Sequence, residues 1–305
     1  MNSEPRSDSF SLLLTPVTSD CVLPHRLADV VQVERPGPRD LEQIRPYFQG
    51  LNVPLGKFEK EPNEVAPGQF QYSNLPQSQW RYLICRWVRK PTPAQRTGLS
   101  TAFQLTDQAI QLGPFFEGSS IRGGIFDPIR EAVSAWHLMT SHNDLGVSVT
   151  SHQLDAIGTY FSEITSLNEN QLLPFDLFNG LQRIDRNSDM WLLGLFAVLE
   201  SILTSKPEPT DPTSSIGRQI WNKIPLLENQ FERLNYRTFG DSISPSKVWK
   251  LLYGIRSSIA HGNRPSYQQP MSPREAVFSF VLSATKLALT ARLRNPTLVD
   301  DLRAC

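Results

Sequence analysis

The stretch KVWKLLYGIRSSIAHG, residues Lys247 to Gly262, decides how this chain is read. At about 100° per residue, Val248, Leu252, Ile255 and Ile259 fall on one apolar stripe. Ser244-Pro245 supplies a cap and a first-turn proline, and Gly262 supplies a C-terminal stop. The segment therefore reads as an amphipathic helix ending at His261. Arg256 sits at the border of the stripe, and Tyr253, Ser257 and His261 continue into a polar sector. Arg256 and His261 are five residues apart, about 140° round the axis, so they do not stack as an i,i+4 pair would. A long arginine and a histidine at the helix end can still converge on a ligand in a groove, particularly a groove completed by a second copy.

Those two residue types define a chemistry. A histidine gives or takes a proton near neutral pH. An arginine stays charged, and its planar fork matches a phosphate. Together they offer acid–base catalysis and charge stabilisation on a phosphoryl group without a metal or cofactor. Cleavage of RNA by its own 2′-hydroxyl needs no more than this. The same residues also fit a plain helix terminus, with His261 capping carbonyls and Arg256 an ordinary surface or paired charge.

Outward from this helix, the C-terminal two-thirds is helical in pattern. Asp189 to Leu203 is apolar on nearly every side and predicts a central buried helix. Its Glu200 lies among Leu193, Phe196, Ala197 and Leu203. A carboxylate there either finds a partner, with Arg256 the natural candidate, or emerges at the solvent edge of the bundle. Further helices are predicted over Ser100 to Leu112 with a stop at Gly113-Pro114, from Asp127-Pro128 onward, from Thr150/Ser151, and over 174–185. Others are expected from Ile216 to Leu234 with a bend at Pro225, and from a Ser272–Glu275 capping box to about Arg294 near Pro296.

Residues 1–98 read differently. Phe10 to Val17 and Trp80 to Val88 are the best strand candidates, and the second is apolar on both faces, as suits a strand covered on both sides. Pro91 and Pro93 end it. Arg81, Arg86, Arg89 and Lys90 around it could form a basic patch, with a solvated strand edge the default reading. The fold class is thus α+β: a small strand-bearing N-terminal region (1–98), connecting helices (99–149) and an all-α helical bundle (150–295).

Composition narrows the function. The 305 residues carry 30 Lys+Arg and 30 Asp+Glu, which excludes coating nucleic acid by bulk charge. That balance conceals an acidic middle and a basic end. Residues 100–215 hold 5 basic and 14 acidic side chains, and 216–305 hold 13 basic and 6 acidic. The two parts either attract each other within one fold or leave the basic part to face an anionic partner. Cys21, Cys85 and Cys305 make no C-x-x-C and no disulfide framework, so a cytoplasmic setting is expected. Cys305 as the last residue makes no prenylation box. The acidic start is unlike a signal peptide, and the longest apolar run, Met190 to Leu199, is too short to span a membrane. His137, His142 and His152 lack metal-site spacing, and Gly113, Gly118, Gly123 and Gly124 form no phosphate loop.

The string LYGIRSSIAHG (252–262) resembles the R-x(4–6)-H motif of the HEPN superfamily, and most closely its Apea-like group. FAVLESIL (196–203) is similar to the earlier helix of that group, which bears a Leu-Glu pair. The resemblance covers roughly residues 150–295. It implies a HEPN-like helical bundle that homodimerises, bringing two motifs into one cleft. It further implies a metal-independent endoribonuclease of a defence or toxin system, leaving 2′,3′-cyclic phosphate and 5′-hydroxyl ends. His261 would be the general acid/base and Arg256 would hold the scissile phosphate. Glu200 would support Arg256, while Ser257 stands where the family more often has Asn. Around them Arg264, Lys247 and Lys250 offer charge, and Tyr253 and Tyr267 offer rings for RNA; Trp249 could also stack on a base but reads more readily as bundle core. The N-terminal region would sense a trigger or position substrate. The same resemblance also admits a non-catalytic dimerisation or nucleotide/RNA-binding module.

Overall fold

Ile84–Trp87 lies in the middle of a sheet, and both of its faces are covered. The computed structural model describes residues 8–14, 17–19, 21–50, 55–67, 69–106, 112–117, 147–206 and 215–304. The strands are β1 Phe10–Leu13, β2 Val17–Ser19, β3 His25–Ala28, β4 Val31–Glu34, β5 Lys60–Ala66, β6 Gln69–Asn74, β7 Ile84–Trp87, β8 Leu112–Phe116 and β9 Val147–Val149. The helices are α1 Pro38–Gly50, α2 Gly56–Glu59, α3 Pro93–Leu105, α4 Ser151–Thr165, α5 Glu169–Gly180, α6 Asp189–Leu203, α7 Ile216–Glu228, α8 Pro245–Ala260, α9 Arg274–Arg294 and α10 Pro296–Ala304. The protein is of mixed α+β class, with two compact units, Met1–Ser166 and Leu167–Cys305.

The first unit is built on an antiparallel sheet of order β3-β4-β7-β1-β8. The pleat sends alternate residues to opposite faces. Phe10, Leu12 and Ile84 meet Leu41, Ile44, Tyr47 and Phe48 of α1 on one side. Trp87 meets Phe161 of α4 on the other, with ring centroids 6.0 Å apart. Two short ribbons, β5-β6 antiparallel and β2-β9 parallel, complete the described strands.

Several boundaries differ from the sequence reading, each for a local reason. Pro93 begins α3, seven residues before the expected start. Thr92 and Gln95 form a reciprocal capping box there, and a proline in the first turn sacrifices no hydrogen bond. Gly113 and Pro114, expected as a helix stop, lie inside β8, which forms an outer strand of the sheet. Helix α4 begins at Ser151 as predicted, but it belongs to the strand-bearing unit. It packs on α3 and β3, and Gly158 permits this because a Cβ there would come within 2.1 Å of the Leu27 carbonyl oxygen. The helix expected after Asp127-Pro128 lies outside the described residues, as do His137, His142, Gly118, Gly123 and Gly124.

The second unit is helical and centred on α6, which contacts α5, α7, α8, α9 and α10. Ser188 caps it by accepting the Trp191 N–H. Trp191, Leu192, Leu195, Phe196, Val198, Leu199, Ile202 and Leu203 are buried, each contributing about 1.5–3 kcal/mol. Helix α5 starts at Glu169, because Asn168 and Gln171 form a capping box. Helix α7 stops at Glu228, short of Leu234. The Glu228 carboxylate accepts the Leu234 N–H at 2.8 Å and the Tyr236 hydroxyl at 2.7 Å, which turns the chain back. Ser272 does not cap α9. The cap position is Pro273, one residue later, without a side-chain bond. Pro296 opens a further helix, α10, for which the Asn295 side chain accepts the Leu298 N–H at 3.2 Å. Among the described residues, α9 alone has the length and apolar composition of a bilayer-crossing helix. Ten of its 21 residues are buried within the unit.

Candidate functional site

Helix α8 delivers the key side chains from one rod. Ser244 caps its start, accepting the Lys247 N–H, and Pro245 occupies the first turn. Val248, Trp249, Leu252 and Ile255 are buried and hold the rod against the unit. At the other end the His261 N–H reaches the Ser257 carbonyl at 3.1 Å, and Gly262 has φ of +71°, the left-handed conformation that closes a helix.

Arg256 is held by a two-point clamp. Its Nε donates to Glu200 Oε1 at 2.8 Å and its Nη2 donates to Oε2 at 2.9 Å. The side chains are 23% and 16% exposed, so the pair sits at the edge of the core rather than in bulk water. Such a fork fixes the guanidinium plane as well as its position. It uses two of five N–H donors and leaves the Nη1 side of the fork unbonded by Glu200. The Tyr253 ring supports the guanidinium, whose carbon lies 5.5 Å from the ring centroid. Tyr253 in turn packs edge-on to Phe196, 6.4 Å between centroids, and against Gly217 of α7. Burial raises the Tyr253 pKa; Arg256 opposes the shift and Glu200 adds to it.

His261 is exposed, and among the described residues its imidazole has no hydrogen-bond or ion-pair partner. Ser257 is half-buried one turn earlier. Lys250 is exposed and, at 11 residues' separation, lies within about 20° of His261 round the axis. Arg264 is exposed just beyond the helix end. Lys250, Ser257 and His261 thus share a face, while Arg256, about 140° round the axis from His261, is held on its Glu200 support.

Of the rings considered for RNA, Trp249 is core, the stronger of its two readings, and Tyr267 is engaged elsewhere. Trp249 is buried, and its indole N–H donates to the Tyr236 hydroxyl at 3.0 Å. Tyr267 donates its hydroxyl to Asp189 Oδ1 at 2.7 Å and lies under Arg274. Burial and then that bond to Asp189 push its pKa up to about 12. Asp189 begins α6 eleven residues before Glu200, about 16 Å along the axis, so Tyr267 is remote from the Arg256 clamp. The Asp189–Tyr267–Arg274 cluster had no sequence signal, because its members come from three separate segments.

In the strand-bearing unit, Arg86 is not a solvated edge residue. It bonds Glu34 of β4 and, at 2.6 Å, Asp40 of α1, between the sheet and that helix. Arg81 pairs with Glu61 at 3.7 Å and Lys90 with Glu117 at 2.6 Å. His152 is exposed. Among the described residues no three of His, Cys, Asp and Glu gather where they could hold a metal. No protein-family model, curated protein or solved structure matches the chain.

Proposed function

We propose that this chain is a metal-independent endoribonuclease with a HEPN-type helical bundle, an effector of prokaryotic defence or a toxin acting in the cytoplasm. The observation that carries the reading is the Glu200–Arg256 fork on a helix that ends at an exposed His261, whose imidazole has no hydrogen-bond or ion-pair partner among the described residues. A guanidinium oriented by one carboxylate keeps donors for a phosphate. An imidazole with no partner among the described residues is available to take the 2′-hydroxyl proton or protonate the leaving 5′-oxygen. Lys250 and Arg264 add exposed positive charge for the RNA backbone. Ser257 lines the same face without an assigned step. A homodimer would set two such helix ends across one cleft, and the strand-bearing unit would sense the trigger or position the RNA.

The test is cleavage of single-stranded RNA in EDTA by purified protein, with product ends identified. Wild type is expected to leave 2′,3′-cyclic phosphate and 5′-hydroxyl ends, and His261→Ala and Arg256→Ala to lose cleavage while keeping helical circular dichroism. A latent enzyme would be toxic on expression, with relief by Arg256→Ala. Equal behaviour of wild type and His261→Ala in both assays overturns the reading. The engagement of Arg256 by Glu200 favours one second reading, a non-catalytic dimerisation or RNA-binding module in which the fork ties α6 to α8. That module would bind RNA or dimerise without cleaving.

A further inference from the structure

A cavity of about 210 Å³ opens in the helical unit at the N-terminal end of α6, remote from Arg256. Its lining comes from the segment before α6, from α6 itself and from α9. Trp191 and Phe278 provide a buried apolar floor, stacked with ring centroids 6.0 Å apart. Two opposite charges also line the cavity. Arg186 is half-buried, and its hydrogen-bond partner is the neutral Gln182, at 3.2 Å. Glu275 is exposed at the rim. Among the described residues neither Arg186 nor Glu275 has an ion-pair partner, although both line one cavity. Arg274, the other cation of the lining, is already neutralised by Asp189 at 2.6 Å.

A cation and an anion that line one cavity with Trp191 and Phe278, neither of them ion-paired among the described residues, complement a ligand carrying the opposite arrangement. Burial disfavours the charged form of Arg186, which lowers its pKa, and an oxyanion would compensate that cost. The volume is below the roughly 300–1,000 Å³ of pockets for drug-sized ligands, so the occupant is a small one. We propose that this cavity binds a free α-amino acid with an apolar or aromatic side chain. Its carboxylate would meet Arg186, its ammonium Glu275, and its side chain the Trp191–Phe278 floor. The site is independent of the ribonuclease reading, since it shares no residue with the Arg256–His261 face.

Calorimetric titration of the full chain tests it, with phenylalanine and leucine as probes, alongside N-acetylphenylalanine, which lacks the ammonium, and phenylalaninamide, which lacks the carboxylate. One of the free amino acids is expected to bind, with each blocked form weaker by about tenfold or more. Arg186→Gln should erase the preference over the amide, and Glu275→Gln the preference over the N-acetyl form. Because Glu275 is an exposed rim residue, its variant tests the site even if Arg186→Gln misfolds. His261→Ala should bind as wild type does. Absence of binding by both amino acids at about 10 mM, or unchanged preferences in the folded variants, overturns the proposal.

Discussion

Two arginines, one in each unit, differ in the number of carboxylates around the guanidinium and so in what each is left free to bind. Arg86 in the sheet is gripped by Glu34 and Asp40, and all three side chains are 11–13% exposed. Its guanidinium also lies 5.6 Å from the Phe10 ring centroid. Burial alone would lower its pKa, but the two carboxylates outweigh that and raise it. The group is saturated, with one positive charge facing two negative ones. Arg256 has a single carboxylate on one edge of its fork and greater exposure. It is oriented without being used up. Geometry of the second kind suits a residue that must still meet a phosphate; geometry of the first kind locks a sheet to a helix.

The largest expected effect sharpens the functional side of this contrast. His261→Ala should lower RNA cleavage by about 10²–10⁴-fold, the usual contribution of a general acid/base, with little change in melting temperature because the side chain is exposed. Single-turnover cleavage assays and a thermal melt measure both. Arg86→Met attacks the other side. It leaves Glu34 and Asp40 together without their cation and should destabilise the strand-bearing unit by about 3–5 kcal/mol, read by denaturant unfolding. A variant as stable as wild type would show that Arg86 is no clamp.

Glu200→Gln is smaller and touches both stability and cleavage. It keeps one acceptor for Arg256 but removes the charge, and should cost about 1–2 kcal/mol in unfolding experiments, with a measurable fall in cleavage. Unchanged cleavage would mean that the fork is structural, as in Arg86. The smallest effect is alkaline. The folded-state pKa of Tyr267 is raised, to about 12, so the folded chain holds this proton more tightly than the unfolded chain does. The contribution is present below about pH 10 and is lost as pH rises from there through about 12. Tyr267→Phe should therefore flatten part of the decline in melting temperature over that window. Burial raises the pKa values of Tyr82 and Cys85 in the other unit, which should keep a residual decline in the variant.

What could be read from the chain follows from the range of the forces involved. Helix α8 was legible because its stripe, its Ser244-Pro245 start and its Gly262 stop all act within a few residues. The bounds of α6 were legible for the same reason, through unbroken apolar periodicity. Gly113-Pro114 misled because the pair resembles a helix stop, while sheet pairing with β1 recruits it into β8. Pro93 misled because a proline that ends a strand can equally begin a helix. Tyr267 looked free in a loop, yet a carboxylate 78 positions earlier in the chain holds it.

The sequence by itself set Arg256, Ser257 and His261 on one rod and placed Glu200 on an apolar helix, because hydrophobic spacing and caps are local. Tertiary structure alone decided that Glu200 meets Arg256 with both oxygens, that Glu34 and Asp40 converge on Arg86, and that Arg186 meets no carboxylate among the described residues. Pairings of that kind depend on angle and distance between segments dozens of residues apart. They are set by how buried side chains pack, which no periodicity within a single segment records.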